Sequence, residues 1–332
     1  MSLTLLGAAL VLAMPPVRPI DGIALSPHYE NPAEGLTFDQ MVDEIAAEGA
    51  SHLSVVVQWA QPDVTATTLA PHPKESQPDR VIRRLIRRAH GRGLKVMVFP
   101  IIWVEAREVG EWRGTLAPVS PEAWWRSYGA FILHYARLAA EERAEVFSVG
   151  SELASMEADE AHWRALIADV RGVFGGQLLY SANWDHYVDV PFWDALDFVG
   201  LTAYYTLTDS HDPSEADLTA AWQRIRGDIM PFIEKVGRPL VFTELGYVSQ
   251  DGVASAPWDY TRERPVDLEE QRRCFAAFAA AWQDEPALGG VFFWNWWGPG
   301  GPTDRWYTLK GKPALEVVRA WLRARLPAEK DK

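Results

Sequence analysis

From Gly22 onward the chain alternates short apolar runs with amphipathic stretches of helical period, and the alternation continues with little interruption to Leu326. The apolar runs 23–26, 53–58, 94–102, 147–151, 178–182, 198–203, 239–243 and 290–294 have strand length and are rich in Val, Ile, Leu and Phe. Continuous apolarity, without strict alternation, is the pattern of strands buried on both faces, as in parallel sheets. Between them, 37–47, 80–92, 121–140, 161–173, 215–236, 268–283 and 313–326 read as helices, while a short element around Phe192-Trp193 follows the fifth run. Ser120-Pro121-Glu122 supplies an N-cap with Pro at the first helical position, and Gly93 and Gly237 act as stops. Eight strands, each followed by a helical segment, predict one α/β domain, a single (β/α)8 TIM barrel over residues 20–326.

The ends of the chain lie outside that pattern. Residues 3–14 are an apolar run too short to span a bilayer and are followed by Pro15-Pro16. We expect residues 1–19 to be a signal-like or disordered segment and 327–332 a disordered tail. Such a leader favours a secreted or periplasmic protein over a cytoplasmic one, although a basic n-region and a clean cleavage site are missing. Nothing later in the chain reads as a membrane span.

A formal net charge of −13 argues against a nucleic-acid partner, which needs a clustered basic surface to displace counterions. The six arginines between Arg80 and Arg92 fall at helical spacing around Val81, Ile82, Leu85 and Ile86, as on a solvated helix face. Cys274, the single cysteine, lies in an apolar helical pattern and reads as a buried structural thiol. The eight histidines show no metal-ligand spacing, so neither a metal nor another cofactor is expected. Sixteen tryptophans change the picture more. Each is a bulky core residue by default, but its flat apolar face with one polar edge also suits stacking on a sugar ring.

Two strands end in a carboxylate. Phe147-Ser148-Val149-Gly150-Ser151 runs into Glu152-Leu153, and Pro239-Leu240-Val241-Phe242-Thr243 into Glu244-Leu245. In a parallel barrel all carboxyl ends share one face, so Glu152 and Glu244 can meet in one cleft. Either residue alone could be a cap partner or a surface group; the shared small-Glu-Leu context favours a catalytic pair. Two carboxyls flanking a glycosidic bond supply an acid and either a nucleophile or a base. A separation of about 5 to 5.5 Å gives retention and roughly 6.5 to 9.5 Å inversion.

Other residues at strand ends are candidates for contact with substrate. Asn183 and Trp184 suit binding of sugar hydroxyls, with turn capping as the alternative for Asn183. Trp59 and Trp103, ending strands two and three, suit either stacking or core packing. Asp185 and Glu105 are further hydrogen-bonding candidates, and Arg113 is placed to tie its loop to Glu111 or another carboxylate.

The segments Ala24-Leu25-Ser26-Pro27-His28-Tyr29, Trp112-Arg113-Gly114, Phe147 to Leu153, Ser181-Ala182-Asn183-Trp184-Asp185, Phe242 to Tyr247 and Gly311-Lys312-Pro313-Ala314 together resemble glycoside hydrolase family 113, over about residues 20–325. That family comprises retaining β-mannanases in the large clan of (β/α)8 glycosidases. The resemblance implies Glu152 as general acid/base and Glu244 as nucleophile. It also implies a strand-six tyrosine orienting the nucleophile, matched by Tyr204 or Tyr205, and a strand-eight tryptophan under the cleaved sugar, matched by Trp294. Two positions depart from the usual pattern: Ser151 stands where most of the clan has Asn, and Pro100-Ile101-Ile102 lacks a polar residue after the proline. The expectation is a monomeric retaining endo-β-1,4-mannanase acting on polysaccharide or oligosaccharide. A β-glucan or manno-oligosaccharide substrate is the alternative within the class, and a carbohydrate-binding pseudo-enzyme the alternative outside it.

Overall fold

In the computed structural model, which describes residues 19–28 and 30–325, eight parallel strands close into a barrel in chain order. They are β1 (Gly22–Leu25), β2 (His52–Gln61), β3 (Lys95–Val104), β4 (Val146–Ser151), β5 (Gln177–Ala182), β6 (Phe198–Thr202), β7 (Leu240–Leu245) and β8 (Leu288–Phe293), with β8 closing onto β1. Around them lie α1 (Phe38–Ala47), α2 (Asp79–Gly91), α3 (Pro121–Glu141), α4 (Glu160–Arg171), α5 (Glu215–Val236), α6 (Leu268–Trp282) and α7 (Ala314–Arg325). The barrel expected from the apolar repeats is thus observed. The signal-like segment 1–19 and the tail 327–332 fall outside the described residues, apart from position 19.

Side chains cap several of the helices, although Ser120, expected to cap α3, makes no such bond ahead of Pro121. Thr37 accepts from the Gln40 N–H ahead of α1, Ser214 and Asp217 form a reciprocal capping box on α5, and Asp267 accepts from the N–H groups of Glu269 and Glu270 ahead of α6. Between β5 and β6, whose residues are all described, the connection holds no α-helix. Two 3-10 turns, Tyr187–Asp189 and Trp193–Ala195, make the crossover, with the Trp193 indole N–H donating to the Tyr187 carbonyl. The strands β2 and β3 also run past their predicted ends, because they pair without interruption from His52↔Lys95 to Gln61↔Val104.

Two apolar layers follow from the barrel. The interior is filled by Val56, Met97, Phe99, Ile101, Val146, Leu179, Phe198, Val241 and Phe292, with Ile20 below and Trp294 packed against it. Alternate residues of the same strands, including Val55, Val57, Val98, Phe147, Val199 and Phe242, belong to a larger cluster shared with the helices. Strand parity therefore decides whether a side chain near a carboxyl end faces the mouth or the helix layer.

Candidate active site

A bulge precedes each of the two glutamates. In β4, Ser148 pairs with Leu179 and Ser151 with Ser181, so β4 takes three steps against two on β5. The extra residue leaves Val149 and Gly150 on the outer side and brings Ser151 inward beside Ser181. From α3, Tyr128 donates to the Val149 carbonyl at 2.8 Å, and a Cβ on Gly150 would lie 2.5 Å from that hydroxyl, so only glycine fits there. Glu152 then turns into the left-handed region (φ 55°), its N–H held by the Ser181 carbonyl at 2.7 Å. In β7, Leu201 pairs with Phe242 and Thr202 with Glu244, two steps on β7 against one on β6, and the Glu244 carbonyl accepts from Ala203 N–H at 2.7 Å.

Both carboxyl groups are buried, at 5% and 3% exposure, yet each has a defined partner. Arg113, from the 3-10 turn Arg113–Thr115 that follows β3, donates to Oε2 of Glu152. Tyr204 donates to Oε2 of Glu244 at 2.8 Å, while Oε1 of Glu244 has no protein partner. Burial, with the charge of Glu152, pushes the Glu244 carboxyl up to about 8, against the opposing pull of Arg113 and the Tyr204 hydroxyl. Burial alone would lower the Arg113 guanidinium, but the charges of Glu152 and Glu244 hold it above its ordinary value. Desolvation, followed by the charge of Glu244, keeps Tyr204 protonated far above the usual phenol range. The site thus sets two carboxyls and one guanidinium together in an apolar pocket, an arrangement that favours one proton shared by the pair near neutrality.

The remaining candidates divide by parity. Trp103 continues the inward face of Met97, Phe99 and Ile101 and carries the Arg107 guanidinium 5.8 Å from its ring centroid. Trp294 follows inward Phe292 and is half-buried on the interior cluster, with its N–H donating to the Leu245 carbonyl. Asn183 continues the inward face of Leu179 and Ser181; it accepts from Thr202 at 3.3 Å and donates to Asp185 at 2.6 Å, so Asp185 acts on Asn183. Trp184 stands against Tyr205 at 5.2 Å and stacks on Trp258, 45% exposed, at 6.1 Å.

Two candidates turn away from the mouth. Trp59 shares the outward parity of Val55 and Val57 and packs on Phe131 and His134 of α3, at 5.3 and 5.7 Å. A stacking role on a sugar in the cleft does not survive that position. Tyr205 likewise faces outward, onto Trp222 of α5 at 5.6 Å, so Tyr204 alone of the two tyrosines reaches Glu244. The partner of Arg113 is Glu152; Glu111 instead accepts from the Glu108 N–H. Glu105 stands 3.8 Å from His72.

Sequence reasoning passed over Tyr307, in the loop after β8. Its ring meets that of Tyr204 edge-on at 6.2 Å, and its hydroxyl donates to the Pro257 carbonyl at 2.9 Å. Its only signal was an aromatic residue in a βα loop, shared by many others here. Ser151 is 2% exposed and its hydroxyl finds no protein partner. Below it, the hydroxyls of Ser181 and Thr243 meet at 2.5 Å. Among the described residues, Asp251, Asp267 and Glu270 bring carboxylate oxygens within 4.8 Å of one another, but Glu270 already accepts from the Gly252 and Ala254 N–H groups and Asp267 caps α6. Among the described residues, no helix is long and apolar enough to cross a membrane.

Known structures share this geometry's frame. The β-mannanase of glycoside hydrolase family 113 from Alicyclobacillus acidocaldarius is 28% identical, with 93% of this chain and 97% of that one covered at a TM-score of 0.82. Two further structures of family 113 β-1,4-mannanases, at 23% and 24% identity, cover 92% of this chain and 99% and 98% of theirs, with TM-scores of 0.82 and 0.81. No curated protein sequence matches. The model of Glycoside Hydrolase Family 113 matches residues 30–309, a stretch that contains seven of the eight barrel strands, β2 to β8, with both glutamates, Arg113 and Tyr204. The chain belongs to glycoside hydrolase family 113 and is a glycoside hydrolase.

Proposed function

We propose that the chain is a retaining endo-β-1,4-mannanase in which Glu244 is the nucleophile and Glu152 the general acid/base. The observation that carries the reading is the asymmetry of the pair: Tyr204 donates to one oxygen of Glu244 and leaves the other unpartnered, while Arg113 occupies only Oε2 of Glu152. The unpartnered oxygen of Glu244 suits attack on an anomeric carbon, and the free oxygen of Glu152 suits carrying a proton to the leaving group. The substrate class is supported by the likeness to the Alicyclobacillus β-mannanase.

In the first step Glu244 Oε1 forms a bond to the anomeric carbon as the bond from that carbon to the bridging oxygen breaks. Glu152 gives its proton to the departing oxygen. The product is a glycosyl ester on Glu244 and a shortened chain with a free hydroxyl. In the second step Glu152 takes a proton from water, the hydroxide oxygen bonds to the anomeric carbon from the face just vacated, and the ester bond breaks to return the carboxylate. Two inversions restore the original configuration. The Tyr204 hydroxyl stabilises the charged form of Glu244 in an otherwise apolar site, and the positive Arg113 offsets the repulsion between two buried carboxylates. Trp294 and Trp103, at the mouth, suit stacking on sugar rings.

The test is covalent trapping. A slow-reacting 2-fluoro mannoside should leave one sugar on Glu244, found by peptide mass spectrometry, and Glu244→Gln should lose both label and turnover of mannan. A label on another residue, or Glu152→Gln turning over mannan at the wild-type rate, would overturn the assignment.

A further inference from the structure

A second buried carboxyl lies behind the proposed acid/base, on the side away from the sugar. After Glu152 and Leu153 the chain makes the 3-10 turn Ala154–Met156, closed by Met156 N–H on the Leu153 carbonyl and anchored by the Trp163 indole on the Met156 carbonyl at 2.9 Å. That turn delivers Glu157, 2% exposed, back against β5. There the Tyr180 hydroxyl donates to Oε1 of Glu157 at 2.7 Å and accepts from the Leu153 N–H at 2.9 Å. The Tyr180 ring is held edge-on against the stacked pair of Trp163 and Phe192, at 5.0 and 5.4 Å, which fixes where its hydroxyl points.

Two successive amides around the left-handed residue are therefore fixed by two successive residues of β5: Glu152 N–H by the Ser181 carbonyl and Leu153 N–H by the Tyr180 hydroxyl. A non-glycine residue at φ 55° persists only when its surroundings over-determine it. We propose that Tyr180 and Glu157 are a positioning pair, which holds the left-handed turn at Glu152 and so aims the acid/base carboxyl at the leaving oxygen. The inference rests on the reading of Glu152 as acid/base. Neither residue touches substrate.

The direction of the hydrogen bonds supports the pairing. A tyrosine can accept from Leu153 and donate to Glu157 at once, and each bond strengthens the other. Burial pushes the Glu157 carboxyl up to about 7, with the Tyr180 hydroxyl and His186 opposing and Asp185 and Asp189 adding to the rise. His186 Nδ1 stands 4.0 Å from Oε2 of Glu157, which has no hydrogen-bond partner.

The experiment compares two leaving groups. A misaimed acid matters where the departing oxygen needs a proton and matters little where it leaves as a dinitrophenolate. Tyr180→Phe and Glu157→Leu are expected to lower kcat/KM on mannohexaose about tenfold and on dinitrophenyl β-mannobioside less than threefold. Glu157→Gln, whose amide oxygen still accepts from Tyr180, should stay within threefold of wild type on both. Equal losses on the two substrates would show general damage and overturn the proposal, as would an unchanged Tyr180→Phe enzyme or a Glu157→Gln enzyme as impaired as Glu157→Leu. If Glu157→Leu does not fold, Tyr180→Phe decides, since it keeps the ring packed on Trp163 and Phe192. Glu152→Gln run alongside separates the failures. Loss on mannohexaose but not on the activated substrate in Glu152→Gln, without the same discrimination in Tyr180→Phe, sinks the positioning pair alone. Wild-type turnover in Glu152→Gln sinks the acid/base reading and the pair with it.

Discussion

Replacing Glu244 by glutamine should stabilise the protein, and by an amount that grows with pH. Folding buries this carboxyl beside Glu152 and raises it from its ordinary 4.5 to about 8. For a group whose folded value lies above its unfolded one, its stabilising contribution is full below about pH 4.5 and is lost as pH rises toward 8. The interval corresponds to on the order of 5 kcal/mol between protonation states, roughly 4 kcal/mol of it falling between pH 5 and pH 8. Glutamine does not ionise, still offers a carbonyl oxygen to Tyr204, and leaves Arg113 paired with Glu152. Differential scanning calorimetry across pH 5 to 8 should therefore show the variant's Tm drawing away from wild type by about 5 to 10 °C, at roughly 2 °C per kcal/mol for a chain of this size. A difference that stays flat with pH, or narrows, would refute the claim that Glu244 is destabilised by its own charge. Such a result would leave the apolar pocket as packing without electrostatic consequence.

Other variants probe the remaining assignments. Tyr204→Phe removes the one hydroxyl on Glu244, and a hydrogen bond to a charged group is worth about 1.5 to 3 kcal/mol, so kcat on mannan should fall about 10- to 100-fold with KM changed less. Trp59→Ala should cost about 3 kcal/mol or more in chemical denaturation while the folded enzyme keeps its kcat/KM; lost activity without lost stability would contradict its outward packing on α3. Trp294→Ala should do the reverse, raising KM for mannohexaose several-fold with a smaller change in Tm. Lys312, wholly buried and bonded to Ser249, Asp304 and the Trp306 carbonyl, pins the loop that carries Tyr307; Lys312→Met leaves Asp304 without its cation and should lower stability by about 3 kcal/mol in denaturant titration.

The barrel and the glutamate pair were legible because both are written in gross pattern: eight apolar runs of strand length, two of which stop at a carboxylate. What the pattern concealed has one physical origin. Strands of a closed parallel barrel are apolar on both faces, so nothing in a run such as Val55-Val56-Val57 says which members face inward. Trp59 and Trp103 look equivalent for that reason, and so do Tyr204 and Tyr205, although in each case one faces the mouth and one the helices. The two bulges are invisible for a related reason, since an extra residue in an apolar run looks like a longer run. Arg113 is a different case. Its distance in sequence from Glu152 hides a contact that depends on how the loop after β3 folds back over the barrel.

The bulges make the cleft a matter of chain length as much as of residue identity. Removing one residue from β4 between Ser148 and Ser151 would let the strand pair evenly with β5 and still leave Ser151 opposite Ser181, but it would take away the extra length that seats Val149 and Gly150 under Tyr128 just before the left-handed turn at Glu152. The turn that aims Glu152 is therefore set by backbone length as well as by the Ser181 carbonyl that holds its N–H.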